Sequence, residues 1–160
     1  AIDDVGFVKN EELHEAFLKA KQAGKVGFYG ISSHKNTQAV LEAAIETGWY
    51  DVFMPGITPA GWFDFQTKKL AEKTPVLKEL QSLFQKAREA GFGLIAMKVG
   101  WIPSRDSTAF DDQYGLKLKE AKLSACQRAY TFVLDHGFDA ANSHMPNFEV
   151  LEENLQVVRG

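Results

Sequence analysis

Apolar residues recur along this chain at two alternating spacings, one typical of helices and the other of short buried strands. In the first helical segment Leu13, Phe17 and Ala20 fall on one face, and Gly24 ends the run. The same pattern predicts helices over 11–23, 36–47, 75–90, 117–135 and 147–158, and strands over 25–31, 49–57, 93–97 and 138–142. One helix followed by four strands, each with a helix behind it, predicts an α/β fold with a parallel sheet.

The turn residues are most informative before the third predicted helix. Thr74 is placed to cap that helix, and Pro75 suits its first position, where the N–H that proline lacks would be unpaired anyway. The preceding stretch, 59–74, has no clear period. Its Trp62 and Phe63 have two interpretations, as the lining of a substrate pocket together with Trp101 or as ordinary aromatic packing under a loop.

The composition favours a single domain over residues 1–160. Hydrophobic residues make up 45% of the chain, which suffices for a buried core. A net charge of −3 provides no basic footprint, so we expect no nucleic acid partner. No apolar run approaches the roughly 20 residues that cross a bilayer, so we expect no membrane partner. The lone Cys126 excludes an internal disulfide and, without a signal-peptide pattern, favours the cytoplasm.

Several classes of site find no support in the residue types. No two histidines have metal-ligand spacing and one cysteine cannot build a structural zinc site, so no metal site is predicted. Neither a GxGxxG turn after a strand, nor a Walker loop, nor a GxSxG elbow occurs.

Three segments together resemble one protein family. These segments are GKVGFYGISSH at 24–34, GLIAMKVG at 93–100 and MPNFEVLEENL at 145–155. They are similar to conserved segments of the aldo/keto reductases, and they occur in that family's order and near its spacing. The resemblance covers almost the whole chain.

The resemblance implies a parallel half-barrel, equivalent to strands five to eight of the family's (β/α)8 barrel. A complete barrel needs roughly 250 residues. The family's catalytic Asp, Tyr, Lys and His lie on the earlier strands, so no catalytic residue is assigned to this chain. The implied cofactor is NADP(H), or NAD(H), and the implied partners are a small carbonyl substrate and a missing N-terminal half.

Two segments carry the implied contacts to the nicotinamide and the pyrophosphate. Ser32 and Ser33, expected to follow the first strand, match the family's Ser-Asn pair at the nicotinamide carboxamide, although Ser33 replaces the Asn. The alternative is that both serines cap the helix predicted at residue 36. Lys98, with the backbone of Val99 and Gly100, is implied at the pyrophosphate, and its alternative is a solvated cation.

The last segment carries the implied contacts to the adenosine. Glu153 and Asn154 match the family's adenine-binding pair. His144, where many relatives have Gly, and Met145 fall beside the adenosine phosphate, and the alternative for this segment is a surface turn before the last helix. Met54 stands where the family has a carboxamide-binding Gln, which is a departure from the pattern. Arg105 is a further candidate for a phosphate contact.

Three functions therefore stay open. The first is the cofactor-binding part of an NAD(P)H-dependent carbonyl reductase, inactive by itself. The second is a non-enzymatic half-barrel that self-associates, because an open parallel sheet leaves edges and one apolar face uncovered. The third is a binding module for a phosphate-containing ligand.

Overall fold

The computed structural model describes residues 1–100 and 122–159. The helices in that part of the chain are α1 Val5–Val8, α2 Glu11–Gln22, α3 Thr37–Thr47, α4 Gln81–Glu89, α5 Ala125–Asp135 and α6 Phe148–Arg159. The strands are β1 Gly30–Ser33, β2 Val52–Pro55, β3 Ile57–Thr58, β4 Gly61–Asp64, β5 Lys69–Leu70, β6 Gly93–Met97 and β7 Ala140–Asn142.

Four of the strands form a parallel sheet in the order β1-β2-β6-β7. Ile31 pairs with Phe53, and Phe53 pairs in turn with Leu94. Helices connect each strand to its parallel neighbour, as the alternation along the sequence predicts. The predicted α/β class with a parallel sheet is confirmed.

The two faces of this sheet differ in their surroundings. Successive side chains of a strand point to opposite faces, and one face, with Ile31, Phe53 and Leu94, is buried. It packs in one apolar cluster with the inner sides of three helices, α3, α4 and α5. The opposite face, with Met54 and Ile95, is half-exposed. The core therefore lies on the helical side of the sheet.

The stretch 59–74, which had no clear period, contains a small antiparallel sheet of β3, β4 and β5. It lies at the C-terminal end of the parallel sheet, since β3 follows β2 directly. Trp62 and Phe63 are buried, and Trp62 packs edge-on against Phe84. Of their two interpretations, the structure supports packing. Trp101 lies outside the described residues.

The first strand was predicted too early in the chain. The prediction over 25–31 is wrong at both ends, because β1 spans Gly30–Ser33 and Phe28 is 78% exposed. Ser32 and Ser33 consequently lie within the strand and do not follow it. A strand is defined by its partner as well as by its own residues, and β2 offers partners only from Val52 onward.

Two helix starts were also misplaced. Thr74 caps no helix, because its hydroxyl accepts from Trp62 N–H (2.8 Å) and donates to the Pro75 carbonyl. A 3-10 turn over Leu77–Leu80 leads into α4 instead. The helix predicted over 117–135 begins at Ala125, where Ser124 and Gln127 form a capping box; 117–121 lie outside the described residues.

The remaining predictions agree with the structure to within two residues at most ends. The helices predicted over 11–23, 36–47 and 147–158 correspond to α2, α3 and α6, and the strand over 93–97 is β6. The strands predicted over 49–57 and 138–142 are shorter than expected. Among the described residues, no helix combines the length and apolar character that crossing a bilayer requires.

Candidate functional site

A cavity of about 590 Å³ opens at the C-terminal ends of β6 and β7. Its wall is formed by two segments that follow these strands and by one side of α5. The lining residues are Met97, Lys98, Val99, Gly100, Cys126, Tyr130, Asn142, Ser143 and His144. The cavity therefore brings together Lys98, Val99, Gly100 and His144, four of the residues that sequence analysis singled out. We call it the rim cavity.

The backbone after β6 gives the rim cavity its shape. Lys98 has a φ of 67°, a left-handed conformation that is uncommon for a lysine and turns the chain away from the strand. Val99 is 1% exposed and belongs to the core, so it contributes backbone to the cavity. A Cβ on Gly100 would lie 3.1 Å from the Tyr130 hydroxyl oxygen and 3.5 Å from Cys126 Sγ. The missing side chain at Gly100 thus keeps this part of the cavity open.

Helix α5 supplies the opposite wall. Cys126 and Tyr130 are four residues apart, so they lie on the same side of the helix. The helix is held against α6 by buried Gln127, whose Nε2 donates to the carbonyl of Glu153 at 2.8 Å and to Gln156 at 3.2 Å. This connection holds α5 against α6, the helix that comes after the segment that follows β7.

Two hydroxyl groups meet at the wall of the rim cavity. The hydroxyl oxygen of Tyr130 lies 2.6 Å from Ser143 Oγ, in a hydrogen bond in which either group can donate. Asn154 Nδ2 also donates to Ser143 Oγ, at 3.2 Å. Ser143 thereby connects α5, the segment after β7 and α6.

Burial has the largest effect on the pKa values of Tyr130 and Cys126. It raises the pKa of the Tyr130 phenol; the hydrogen bond to Ser143 opposes this effect, and Cys126 and the Glu153 carboxylate add to it. Burial, followed by the Glu153 carboxylate, also raises the pKa of the Cys126 thiol. Both groups are therefore uncharged hydrogen-bond donors near neutral pH.

Lys98 also contacts the small antiparallel sheet. Its Nζ lies 4.4 Å from the ring centroid of Phe65, and Lys68 Nζ lies 2.9 Å from the same centroid. The ring of His34 stacks on Phe65 at 5.1 Å. Burial lowers the pKa of His34, and the positive charge of Lys98 lowers it further. The loop between β4 and β5 thus lies close to the residues after β1 and after β6.

The two serines of β1 lie on opposite faces of the sheet. Ser33 is fully buried, and its single hydroxyl hydrogen is shared between the Lys35 carbonyl oxygen, 2.9 Å from Oγ, and Asp3 Oδ1, 3.2 Å from Oγ. Asp3 accepts from the N–H groups of His34 and Lys35 as well, and these hydrogen bonds lower the pKa of the Asp3 carboxyl although burial alone would raise it.

Ser32 lies on the half-exposed face, opposite Met54 in the strand register. Met54 Sδ accepts from Asn142 Nδ2 at 3.7 Å, so this methionine faces the same side as the rim cavity. Neither serine caps α3, because Asn36 occupies the N-cap position with a left-handed backbone and no side-chain capping bond.

The three remaining predicted residues lie around the cavity without lining it. Met145 is 43% exposed. Asn154 is buried beneath Ser143, and Glu153 is close enough to raise the pKa of both Cys126 and Tyr130. Asn147 caps α6 by accepting from Val150 N–H at 2.9 Å. Arg105 lies outside the described residues.

Sequence analysis missed five cavity residues, namely Met97, Cys126, Tyr130, Asn142 and Ser143. Cys126 entered the sequence analysis only through disulfide chemistry, whereas in the structure it is half-exposed and lines the cavity. Ser143 carried a usable signal, because it directly follows a parallel strand and such positions form sites in barrels. Tyr130 carried none, since its partner in space is thirteen residues away on another element.

A second cavity, of about 850 Å³, is lined by residues 1–4 and by Phe7, Leu13, Lys35, Asn36 and Gln66. Its charged side chains are two carboxylates, Asp3 and Asp4, and one lysine, Lys35, which is a poor match for an anionic ligand. The carboxylate of Asp3 is moreover already bonded to backbone N–H groups. The rim cavity is therefore the better candidate site.

Within residues 1–100 and 122–159, no three His, Cys, Asp or Glu side chains are grouped so that they could hold a metal ion. Comparison with models of known protein families and with curated proteins gives no match for this chain.

Proposed function

We propose that this chain supplies the cofactor-binding part of an NAD(P)H-dependent oxidoreductase of the aldo/keto reductase type. The parallel sheet would then be the second half of a (β/α)8 barrel, and the complete barrel would transfer a hydride from NAD(P)H to an aldehyde or ketone. The cofactor supplies that hydride chemistry, and the protein binds and orients it. The chain by itself, without the family's catalytic residues, is expected to reduce no carbonyl compound.

One observation carries this proposal: Lys98, Gly100 and His144 border a single cavity at the C-terminal ends of two parallel strands. Barrel enzymes place their sites at this end of the strands. Lys98 and Gly100 belong to the segment at 93–100, whereas His144 directly precedes the segment at 145–155. Their convergence supports the family resemblance.

The chemistry of the rim cavity fits a phosphate group. Lys98 offers a cation, and Ser143 and Tyr130 offer hydroxyl donors. Gly100 leaves space that any side chain would fill. A cavity of about 590 Å³ also lies within the ordinary range for small-molecule sites.

The half-exposed sheet face gives the rest of a dinucleotide a place to lie. Ser32 is on β1 and the rim cavity adjoins β6, with β2 between them, which separates them by on the order of 10 Å. In this proposal Ser32 faces the nicotinamide and Lys98 the pyrophosphate. Glu153 stays a candidate for the adenine, whereas Asn154 acts through Ser143 and Ser33 supports the loop after β1.

The test is a titration of the purified chain with NADPH, followed by cofactor fluorescence. We expect saturable binding and about a tenfold loss of affinity in Lys98→Asn, because asparagine tolerates a left-handed backbone while the charge is removed. Lys25→Asn, at an exposed position before β1, is the matched control and should bind as wild type does. A folded chain that shows no binding at millimolar NADPH would overturn the proposal.

A second candidate is the self-associating half-barrel, supported by the half-exposed apolar residues Val52, Met54 and Ile95 on one sheet face. The described helices pack on the opposite face. Light scattering decides this candidate, because a stable monomer at high concentration would contradict it. The third candidate, a phosphate-ligand module without redox chemistry, predicts that ADP binds as tightly as NADPH.

A further inference from the structure

The hydroxyl pair of Tyr130 and Ser143 has one more hydrogen than its own contacts use. Asn154 Nδ2 can only donate, so Ser143 Oγ accepts from it. One hydroxyl hydrogen lies in the 2.6 Å bond between Tyr130 and Ser143. Whichever of the two hydroxyls donates in that bond, the hydrogen of the other one has no acceptor among the described residues.

This remaining O–H group belongs to the wall of the rim cavity, since both Tyr130 and Ser143 line it. Gly100 lies beside the Tyr130 hydroxyl, since a Cβ at this glycine would be 3.1 Å from the phenol oxygen. In the cavity this half-buried O–H group faces solvent, which serves as its acceptor. A ligand that offers an acceptor oxygen at this position takes the place of that water.

Among the described residues that line the cavity, Lys98 is the cation and none is a carboxylate, and the Glu153 carboxylate lies near Cys126 and Tyr130 without lining it. Lys98 lines the same cavity from the segment after β6, and its Nζ lies 4.4 Å from the ring centroid of Phe65. The raised pKa of Tyr130 keeps its phenol protonated near neutral pH, so the pair always has a hydrogen to donate. A phosphoryl group presents several acceptor oxygens to donors on different sides, which a single carbonyl cannot do.

We propose that Tyr130 and Ser143 act as one paired-hydroxyl donor that binds a phosphoryl oxygen in the rim cavity, with Asn154 fixing the orientation of Ser143. The inference rests on the proposed function for the identity of the natural ligand, a dinucleotide pyrophosphate. It adds two residues that the family segments do not contain. It also gives buried Asn154 a positioning role.

The experiment measures binding of inorganic pyrophosphate and of NADPH by calorimetry, with citrate as a non-phosphate anion. Wild-type chain should bind both phosphate compounds and bind citrate more weakly. Tyr130→Phe should weaken both by about tenfold, since it removes a hydrogen bond to a charged group. Ser143→Ala should have a similar effect, and the double variant should lose less than the product of the two, because the two hydroxyls act as a unit.

Tyr29→Phe is the matched control. Tyr29 is buried among aromatic side chains before β1, at the other end of the sheet, and its ring stacks on Phe17. This variant should bind as wild type does. Circular dichroism and a thermal melt of each variant show that the sheet is intact, so that a loss of binding reports the missing hydroxyl.

The outcomes separate the two proposals. Equal binding of pyrophosphate and NADPH by wild type and Tyr130→Phe overturns the hydroxyl-pair inference and leaves the cofactor proposal standing. Binding of pyrophosphate that depends on Tyr130, without any binding of NADPH, overturns the cofactor proposal and supports the hydroxyl pair. Binding of neither compound overturns both, and equal binding of citrate overturns the choice of a phosphoryl group.

Discussion

Asp139 and Leu94 are joined by two hydrogen bonds at the beginning of adjacent strands. The Leu94 N–H donates to Asp139 Oδ2 at 2.8 Å, and the Asp139 N–H donates to the Leu94 carbonyl at 2.9 Å. Asp51 and Tyr29 form the same pair of bonds beside β1 and β2, both at 2.7 Å. Each aspartate directly precedes its strand, so this arrangement sets the register of two parallel pairs.

Asp139→Ala should lower the free energy of unfolding by about 1–3 kcal/mol, because the N–H of fully buried Leu94 loses its side-chain acceptor. Asp135→Ala, at the exposed end of α5, is the control and should change it by less than about 0.5 kcal/mol. Urea denaturation measures both. Equal effects of the two substitutions would contradict a role for Asp139 in strand register.

Gly61→Ala should be among the most destabilising substitutions in the small antiparallel sheet. Gly61 has a φ of 120°, and a Cβ there would lie 2.4 Å from both the Pro75 carbonyl oxygen and Thr74 Oγ1. We expect a loss of about 3 kcal/mol or more. Gly24→Ala, which has a φ of 68° and open space around it, should cost about 1 kcal/mol. Thermal unfolding that ranks the two equally would rule out the steric explanation.

Removing the charge of Lys98 should raise the pKa of His34. Burial lowers this pKa first, and among the nearby charges Lys98 lowers it most, followed by the N-terminus and Lys68, while Asp3 raises it. In Lys98→Asn the His34 titration, followed by NMR, should move toward the ordinary value for histidine. Lys25→Asn should leave it in place, and added salt should reduce the difference between the variants.

The lowered pKa of His34 also predicts how the stability of the folded chain changes with pH. The pKa of His34 is lower in the folded chain than in the unfolded chain, so its stabilising contribution is present above the unfolded value. That contribution is lost as the pH falls through the folded value. As the pH falls through this range, the free energy of unfolding should therefore decrease less in Lys98→Asn than in wild type. A steeper loss in the variant would contradict the contact between Lys98 and the His34 environment.

Gly100→Ala should reduce binding of pyrophosphate and NADPH without a large loss of stability. The added methyl group would contact the Tyr130 hydroxyl at 3.1 Å and narrow the rim cavity. Gly27→Ala, at an exposed position with no neighbour within 4 Å, is the control and should bind normally. Unchanged affinity in Gly100→Ala would place the ligand elsewhere.

The single cysteine gives a test that needs no substitution. Cys126 lines the rim cavity and its thiol pKa is raised, so modification by a disulfide reagent should be slow near neutral pH and accelerate at alkaline pH. Saturating NADPH should slow the reaction further by covering the thiol. An unchanged rate in the presence of bound NADPH would show that the cofactor does not occupy this cavity.

Much of the fold can be predicted from residues that are close together in the sequence. The apolar spacing of α2 and α3, the continuous apolar run of β6 and the cap at Asn147 each depend on residues a few positions apart, so periodicity and turn chemistry predict them. The small antiparallel sheet did not follow from the pattern, because strands of two and four residues are too short for an alternation of apolar and polar residues to be distinguished.

The sequence by itself determined the alternation of helices and strands, the parallel sheet and the selection of Lys98, Gly100 and His144. The tertiary structure decided that Ser32 and Ser33 face opposite sides of the sheet, because β1 begins where its partner β2 begins. It also decided that Tyr130 meets Ser143 and that Cys126 lines the cavity. The last two relationships depend on how α5 packs against α6. The spacing of residues along the sequence does not determine the distance between these two helices.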